Sequence, residues 1–208
     1  MRLLNNILSE INAALEANLN GLDEYGNIGS LTQFWTEAYL HVQDAKTYPV
    51  VNSGDGDGQM VSFDDSYAMQ IYHRVIDVEN GSNPDSGYGR NVRRTKVYKM
   101  RLVGVGTINK FPERTWETNT DIMSLVSSAL PVDLTYELSE LNDEQPNKMD
   151  VIASEFAGHD YEKLKFNLIA FWIEYSITQR ADCGDVTNEP FISLSDVVAT
   201  VGNDYVYT

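Results

Sequence analysis

The residues able to do chemistry in this sequence are three histidines, one cysteine, many carboxylates and one dense run of cations. His41, His73 and His159 lie far apart, and none belongs to a His-x-x-x-His or Cys-x-x-Cys spacing of the kind that builds a local metal site. They are expected as ordinary strand or surface histidines. Cys183 sits in Ala-Asp-Cys-Gly-Asp, where two aspartates raise a thiol pKa and oppose a nucleophilic role. Asp55-Gly-Asp57-Gly-Gln59 resembles the opening of a calcium loop, but an EF-hand beginning at Asp55 needs Gly where Met60 stands and Glu where Ser66 stands. A polar turn is the expectation. Gly104 and Gly106 follow a strand, yet Thr107-Ile108-Asn109-Lys110 does not complete a phosphate loop, so close backbone packing is expected of them. Glu155 with Asp160 or Glu162 and Lys163 can be drawn as a nuclease-like cluster. The reading of Gly158–Glu162 as an exposed hairpin tip denies those carboxylates the burial that tunes a catalytic acid. The sequence therefore predicts no catalytic, cofactor or metal residues, and a protein that is not an enzyme.

One group stands out. Arg90, Arg93, Arg94, Lys96, Lys99 and Arg101 fall within twelve residues that hold no acid. They contribute +6, which leaves −22 on the rest of a chain whose total is −16. One reading is a solvated edge strand guarded by charge against aggregation. A second is an electrostatic dipole that docks head-to-tail on another copy, a contact that closes into a ring where the rotation permits. A third is contact with DNA in the lumen of such a ring, where phosphates are met without sequence specificity.

Among the elements that must carry these residues, Leu3, Leu4, Ile7, Leu8, Ile11 and Leu15 form one apolar stripe, with Asn5, Asn6, Ser9, Glu10, Asn12 and Glu16 between them. This predicts a helix over about residues 2–19, ended at Asn20-Gly21 by a left-handed glycine cap. Strands are predicted over Gln33–Gln43, Thr47–Val51, Met60–Phe63 and Tyr67–Val78. Pro49 places the second at a sheet edge or strand end. Ile71, His73 and Val75 share one face of the fourth, with Tyr72, Arg74 and Ile76 on the other. Ser53–Gly58 reads as an exposed turn and Glu79–Gly89 as a long flexible loop. Val92–Val105 is the clearest long strand. Thr118–Leu130 returns to helical spacing, aligning Ile122, Leu125, Val126 and Ala129, with Asn119 or Thr120 as N-cap and Pro131 as stop. Asp150–Phe156 and Leu164–Arg180 read as a closing hairpin, with Asn167, Ile169, Phe171, Ile173, Tyr175 and Ile177 as its buried face.

The sum is an α+β fold: a mostly antiparallel sheet with two helices packed on one face, plus a C-terminal extension. Residues 1–181 form the domain and 182–208 the extension or docking arm. Its 42% hydrophobic and 11% aromatic content supplies a core for 208 residues and excludes a disordered acidic tail. The charge and a pI near 4.4 oppose general adhesion to nucleic acid or anionic membrane. A signal peptide's apolar run and any span of about 18 apolar residues are lacking. A lone cysteine suits a reducing cytoplasm. The expectation is a soluble chain made inside a cell.

The order of elements resembles the tail-terminator and tail-completion family of tailed bacteriophages, as found in phages and prophages of Bacteroidetes. The resemblance lies in the amphipathic N-terminal helix, the edge Thr47-Tyr48-Pro49-Val50-Val51 and the strand Ile71-Tyr72-His73-Arg74-Val75. It continues through Tyr98-Lys99-Met100-Arg101-Leu102-Val103-Gly104-Val105, the helix ending Ser128-Ala129-Leu130-Pro131, and Phe171-Trp172-Ile173-Glu174-Tyr175-Ser176-Ile177. It covers roughly residues 2–181 as a pattern. It implies a virion protein, made in the bacterial host cytoplasm, forming a six- or twelve-fold homo-oligomeric ring with other neck and tail proteins. In short-tailed crAss-like phages similar subunits look to serve as stacked neck rings. No catalytic residues, cofactor or membrane partner come with the resemblance. The loop 79–89 and the tail 182–208 exceed a minimal terminator and are expected as arms gripping neighbours. The alternatives are a virion-surface or receptor- and carbohydrate-binding module, which requires Tyr25, Trp35, Tyr39 and Trp116 together on an exposed face, and then a metal-dependent nuclease.

Overall fold

Helix α1 (Arg2–Asn20) forms because Leu4, Ile7, Leu8, Ile11, Leu15 and Leu19 recur at helical spacing, and all six are buried. Its end departs from the expected cap. Gly21 is not left-handed; the only positive-φ glycine among the described residues is Gly158. The helix closes instead with a tighter bond from the Gly21 N–H to the Asn18 carbonyl (3.1 Å). The computed structural model describes residues 2–21, 28–52, 58–64, 66–84, 92–111, 118–130, 136–138, 146–158, 168–181 and 197–198.

After a 3₁₀ turn (Gly29–Leu31), the chain runs through strands β1 (Thr32–Gln43), β2 (Lys46–Asn52), β3 (Gly58–Met60), β4 (Met69–Pro84) and β5 (Val92–Thr107). A second 3₁₀ turn (Ile108–Lys110), helix α2 (Thr118–Ala129), strand β6 (Tyr136–Leu138) and helix α3 (Pro146–Glu155) follow, then β7 (Leu168–Ala181) and β8 (Val197–Val198). The sheet order is β3-β2-β1-β4-β5-β7-β6, with β8 also on β7. Only β1 and β4 pair in parallel, and the other ladders are antiparallel. The α+β class and the mostly antiparallel sheet are as expected.

Both faces of the sheet are covered. On one, α1 and α2 pack over Met69, Ile71, Met100, Leu102, Ile169, Phe171, Ile173, Tyr175 and Ile177. On the other, Val151, Ile152 and Phe156 of the α3 region pack over Ala38, Val51, Tyr72, Val103, Val105, Leu168 and Ala170. The expected strand Asp150–Phe156 is therefore a helix. Val151, Ile152, Glu155 and Phe156 stand at i, i+1, i+4 and i+5, a helical repeat, and Pro146 occupies a first position where its missing N–H costs nothing. The buried set on β7 holds as read, except that Asn167 lies outside the described residues. Leu168 and Ala170 on the other face are buried as well, under α3.

Three local features fix the frame. Asp44 and Ala45 take positive φ (52° and 61°), the backbone of a two-residue hairpin whose twist matches its strands. Gly158 (φ 79°) ends the α3 region in the left-handed conformation, beside the bond from Thr47 N–H to the Ala157 carbonyl (2.8 Å). A Cβ at Gly104 would overlap the Phe171 ring, and one at Gly106 would overlap the Ala68 carbonyl, so the close packing expected of both is real.

Two extended readings need correction. The strand expected over Met60–Phe63 ends at Met60, and Phe63 instead lies 4.9 Å from the Phe156 ring. Of the expected loop Glu79–Gly89, residues 79–84 continue β4, with Glu79 to Pro84 paired against Val97 to Val92. Turn-prone Asn80, Gly81, Ser82 and Asn83 are held extended because β5 offers a continuous ladder, and pairing overrides intrinsic preference. Residues 85–89 lie outside the described residues, as do most of the turn at Ser53–Gly58 and all of the extension except β8.

Candidate functional site

Polar side chains gather in three places: a buried chain between α1 and the sheet, an ionic joint under the end of α3, and a charged arm of paired strands.

The buried chain centres on His73. Its ring is fully enclosed, with Nδ1 2.7 Å from the Tyr175 hydroxyl and Nε2 2.8 Å from Asn12 Oδ1. Asn12 in turn donates its amide to the Trp35 carbonyl at 3.0 Å. That last bond fixes the sense of the series. Asn12 Oδ1 must accept, so Nε2 carries the proton, and Nδ1 accepts from the Tyr175 O–H. Every polar atom of this internal run is then satisfied with a neutral imidazole. Burial pushes the His73 pKa down to about 3 and the Tyr175 phenol up. The sequence reading placed Asn12 on the polar side of α1, but it is buried. The signal was its place between Ile11 and Leu15 on the apolar stripe.

The ionic joint centres on Glu155, whose side chain has no exposed surface. Arg74 and Arg101 face each other across the β4–β5 ladder, an arrangement that repels unless an anion lies between them. Glu155 is that anion, with Oε1 3.3 Å from Arg74 and 3.6 Å from Arg101. Ser154 Oγ donates to the same carboxylate (3.2 Å), and the Tyr72 hydroxyl donates to Oε2 (3.2 Å). Burial first, and the nearby Glu155 second, hold the Tyr72 phenol well above its ordinary pKa. Arg101 also donates through Nε to Glu174 at 3.1 Å and lies 4.4 Å from the Trp172 ring centre. A carboxylate at the negative end of a helix needs such cations. Enclosed by arginines and a phenol, Glu155 pins α3 to the sheet and is closed to any substrate. Asp160, Glu162 and Lys163, its partners in the nuclease reading, lie outside the described residues.

The six cations do not act as one group. Strand β5 lies between β4 and β7, so the edge-strand reading is wrong. Alternation sends its side chains to both faces. Lys99 pairs with Glu79 at 2.5 Å and Asp77 at 3.8 Å, and the Glu79 carboxylate, as hydrogen-bond partner and charge, raises the Lys99 pKa. Arg101 belongs to the Glu155 joint. Lys96 is exposed and stands 5.5 Å over the Tyr98 ring. Arg93 and Arg94 are placed by their backbone, opposite Asn83 and Ser82, and Arg90 lies outside the described residues.

The strands that carry these cations outrun the helices. From Glu79 to Pro84, β4 advances about 17 Å at the usual rise per residue, paired with β5 past Tyr98, the last side chain of that β5 segment packed on the helix-side core. Strand β7 follows as far as Ala181, opposite Arg94. The result is an arm bearing Asp77, Glu79, Lys96 and Lys99 with exposed Ile76 and Val78.

The remaining candidates are quickly placed. His41 is an exposed strand residue, its ring 5.4 Å from Tyr48, and His159 and Cys183 lie outside the described residues. Among the described residues no group of three His, Cys, Asp or Glu side chains could hold a metal, and no helix is long and apolar enough to cross a membrane. The aromatic binding face is not assembled as required: Tyr39 is exposed, but Trp35 packs against the α3-side core, and Tyr25 and Trp116 lie outside the described residues. Asn119, read as an N-cap, instead uses its amide to accept from Ala170 N–H (3.0 Å) and donate to the Ala170 carbonyl (3.2 Å), tying α2 to β7. Comparisons with protein-family models, with curated proteins and with solved structures return no match.

Proposed function

We propose that this chain is a structural subunit that assembles through its charged arm into a homo-oligomeric ring, at the neck or tail of a tailed phage virion. The arm carries the reading. Three strands run past the helices and bring a basic segment clear of a body that is otherwise strongly acidic. Basic arm and acidic body are complementary on neighbouring copies, which sets register and orientation in a head-to-tail contact. The two internal polar groups support an assembly role in another way: His73 and Glu155 are bonded on all sides by their own chain and serve the fold. The phage setting comes from the resemblance in element order, which implies neighbours among the neck and tail proteins and a lumen able to pass DNA.

The test is charge reversal with imaging. Arg93→Glu, Arg94→Glu and Lys96→Glu together should abolish ring assembly, seen by electron microscopy and native mass spectrometry, while circular dichroism stays that of the native fold. Intact rings from the triple variant refute the electrostatic contact.

A further inference from the structure

We infer that the open edge of β4 between Asp77 and Pro84 is completed by a strand of a second copy of this chain, so that subunits join by continuing one sheet. The inference rests on the ring reading above and names the contact. Strand β1 leaves β4 after the pair Ala38 and Arg74, whereas β5 stays with β4 to the pair Pro84 and Val92. From Asp77 onward β4 therefore has a neighbour on one side only among the described residues. Backbone N–H and C=O groups on such an edge are a template for another strand.

Natural edges are guarded, and this one is guarded weakly. Its bulge at Val75/Asp77 lies at the root of the open stretch. Asp77 is held by its own chain, Oδ1 accepting from the Val78 N–H (2.8 Å) and Oδ2 3.8 Å from Lys99, and Lys99 also engages Glu79, so the open backbone lies past Val78. Beside these acids Ile76 is 43% and Val78 37% exposed, apolar surface that an added strand would cover.

Charge selects the occupant. Asp77–Pro84 and Val92–Lys99 together hold four cations and two acids, a net +2, which leaves −18 on the remainder of a chain of total −16. The complement of this arm is an acidic protein surface, and another copy of this chain supplies one. Two β4 edges meeting about a two-fold over Asp77–Pro84 would instead bring two net-basic arms together. The favoured contact is thus between different surfaces of the two copies, the arrangement that closes into rings.

The experiment is hydrogen–deuterium exchange on the full chain, concentrated at low salt and dilute at high salt, where screening weakens charge-driven contacts. In the assembled state the amides of Glu79–Asn83 that face the open edge, and not β5, should exchange roughly tenfold or more slowly than in the monomer. Val78→Lys, at an exposed position, places a charge of the kind that guards natural edges and should weaken assembly by roughly tenfold. An oligomer with unprotected β4 amides overturns the edge contact and leaves the ring reading standing. A chain that stays monomeric at every concentration overturns both.

Discussion

Acid should destabilise this fold through His73, by an amount that follows from its surroundings. The imidazole is neutral in the folded state, with Nε2–H donating to Asn12 and Nδ1 accepting from Tyr175. Protonation would add a second donor facing a hydroxyl that already donates, and would bury a cation with no carboxylate in hydrogen-bonding contact. The folded pKa falls to about 3 from the ordinary 6.5. Because the folded value is depressed, the unfolded chain binds the proton first, and stability falls as pH drops below about 6.5. Each unit is worth about 1.4 kcal/mol, so the contribution lost by about pH 5 is roughly 2 kcal/mol, a large share of a typical domain's stability. The comparison is with His73→Gln, which keeps a donor and an acceptor but does not titrate. Other carboxylates titrate in both proteins and cancel in the difference, including Glu37, whose pKa half-burial raises. Urea melts of both proteins at about pH 7.5 and about pH 5 give the test, and the native protein's advantage should shrink by roughly 2 kcal/mol between them. An unchanged advantage, or a His73 ring resonance titrating near the ordinary value, would refute the buried neutral tautomer.

Glu155→Gln should cost about 3–5 kcal/mol in a denaturant melt, because it leaves two guanidiniums facing each other without their shared anion. Glu174→Gln, at a position 39% exposed, should cost no more than about 1 kcal/mol; equal losses would mean that burial does not govern the joint. Gly104→Ala should lower stability by about 1–3 kcal/mol through overpacking against Phe171. Gly106→Ala should cost more, since it meets the rigid Ala68 backbone where Gly104 meets a ring able to turn, and thermal melts would show the order.

Much of the frame was legible because repeats of 3.6 and 2 residues declare themselves. The stripe of α1, the long β5 and the alternating β7 each needed one period read along one segment. Asp150–Phe156 was misread because a seven-residue window holding Val151, Ile152 and Phe156 fits a strand as easily as a helix. Glu155 settles it, being polar yet buried, at i+4 from Val151 and just before Phe156. Its burial depends on Arg74 and Arg101, and no local pattern announces partners so distant in sequence. The His73 chain was hidden for the same reason. Asn12, His73 and Tyr175 each occupy an apolar stripe where one polar residue looks like an interruption, and only the fold brings the three together. The loop expected at Glu79–Gly89 failed differently, since turn-prone residues up to Pro84 yield to a long partner strand.

The split of the cations alters how the charged segment works. As sequence, Arg90 to Arg101 is one block of +6, with nothing to tell one member from another. In the fold, Arg101 serves α3 through Glu155, and Lys99 neutralises the acids of β4. Both act inside the chain, and both stiffen the root of the arm: Arg101 through a buried joint, Lys99 by binding β5 to β4 on one face. What remains for a neighbour lies farther out, at Lys96 and at the strand positions of Arg93 and Arg94. On the assembly proposed above, a root held by these two contacts and a basic tip would act together as a lever. Reversal at Lys99 and reversal at Lys96 should therefore differ in kind. Lys99→Glu sets three acids together and should loosen the arm in every state, so its amides exchange faster even in the monomer. Lys96→Glu should leave the monomer's exchange unchanged and weaken only association, and like exchange in the two monomeric variants would mean that the lever does not exist.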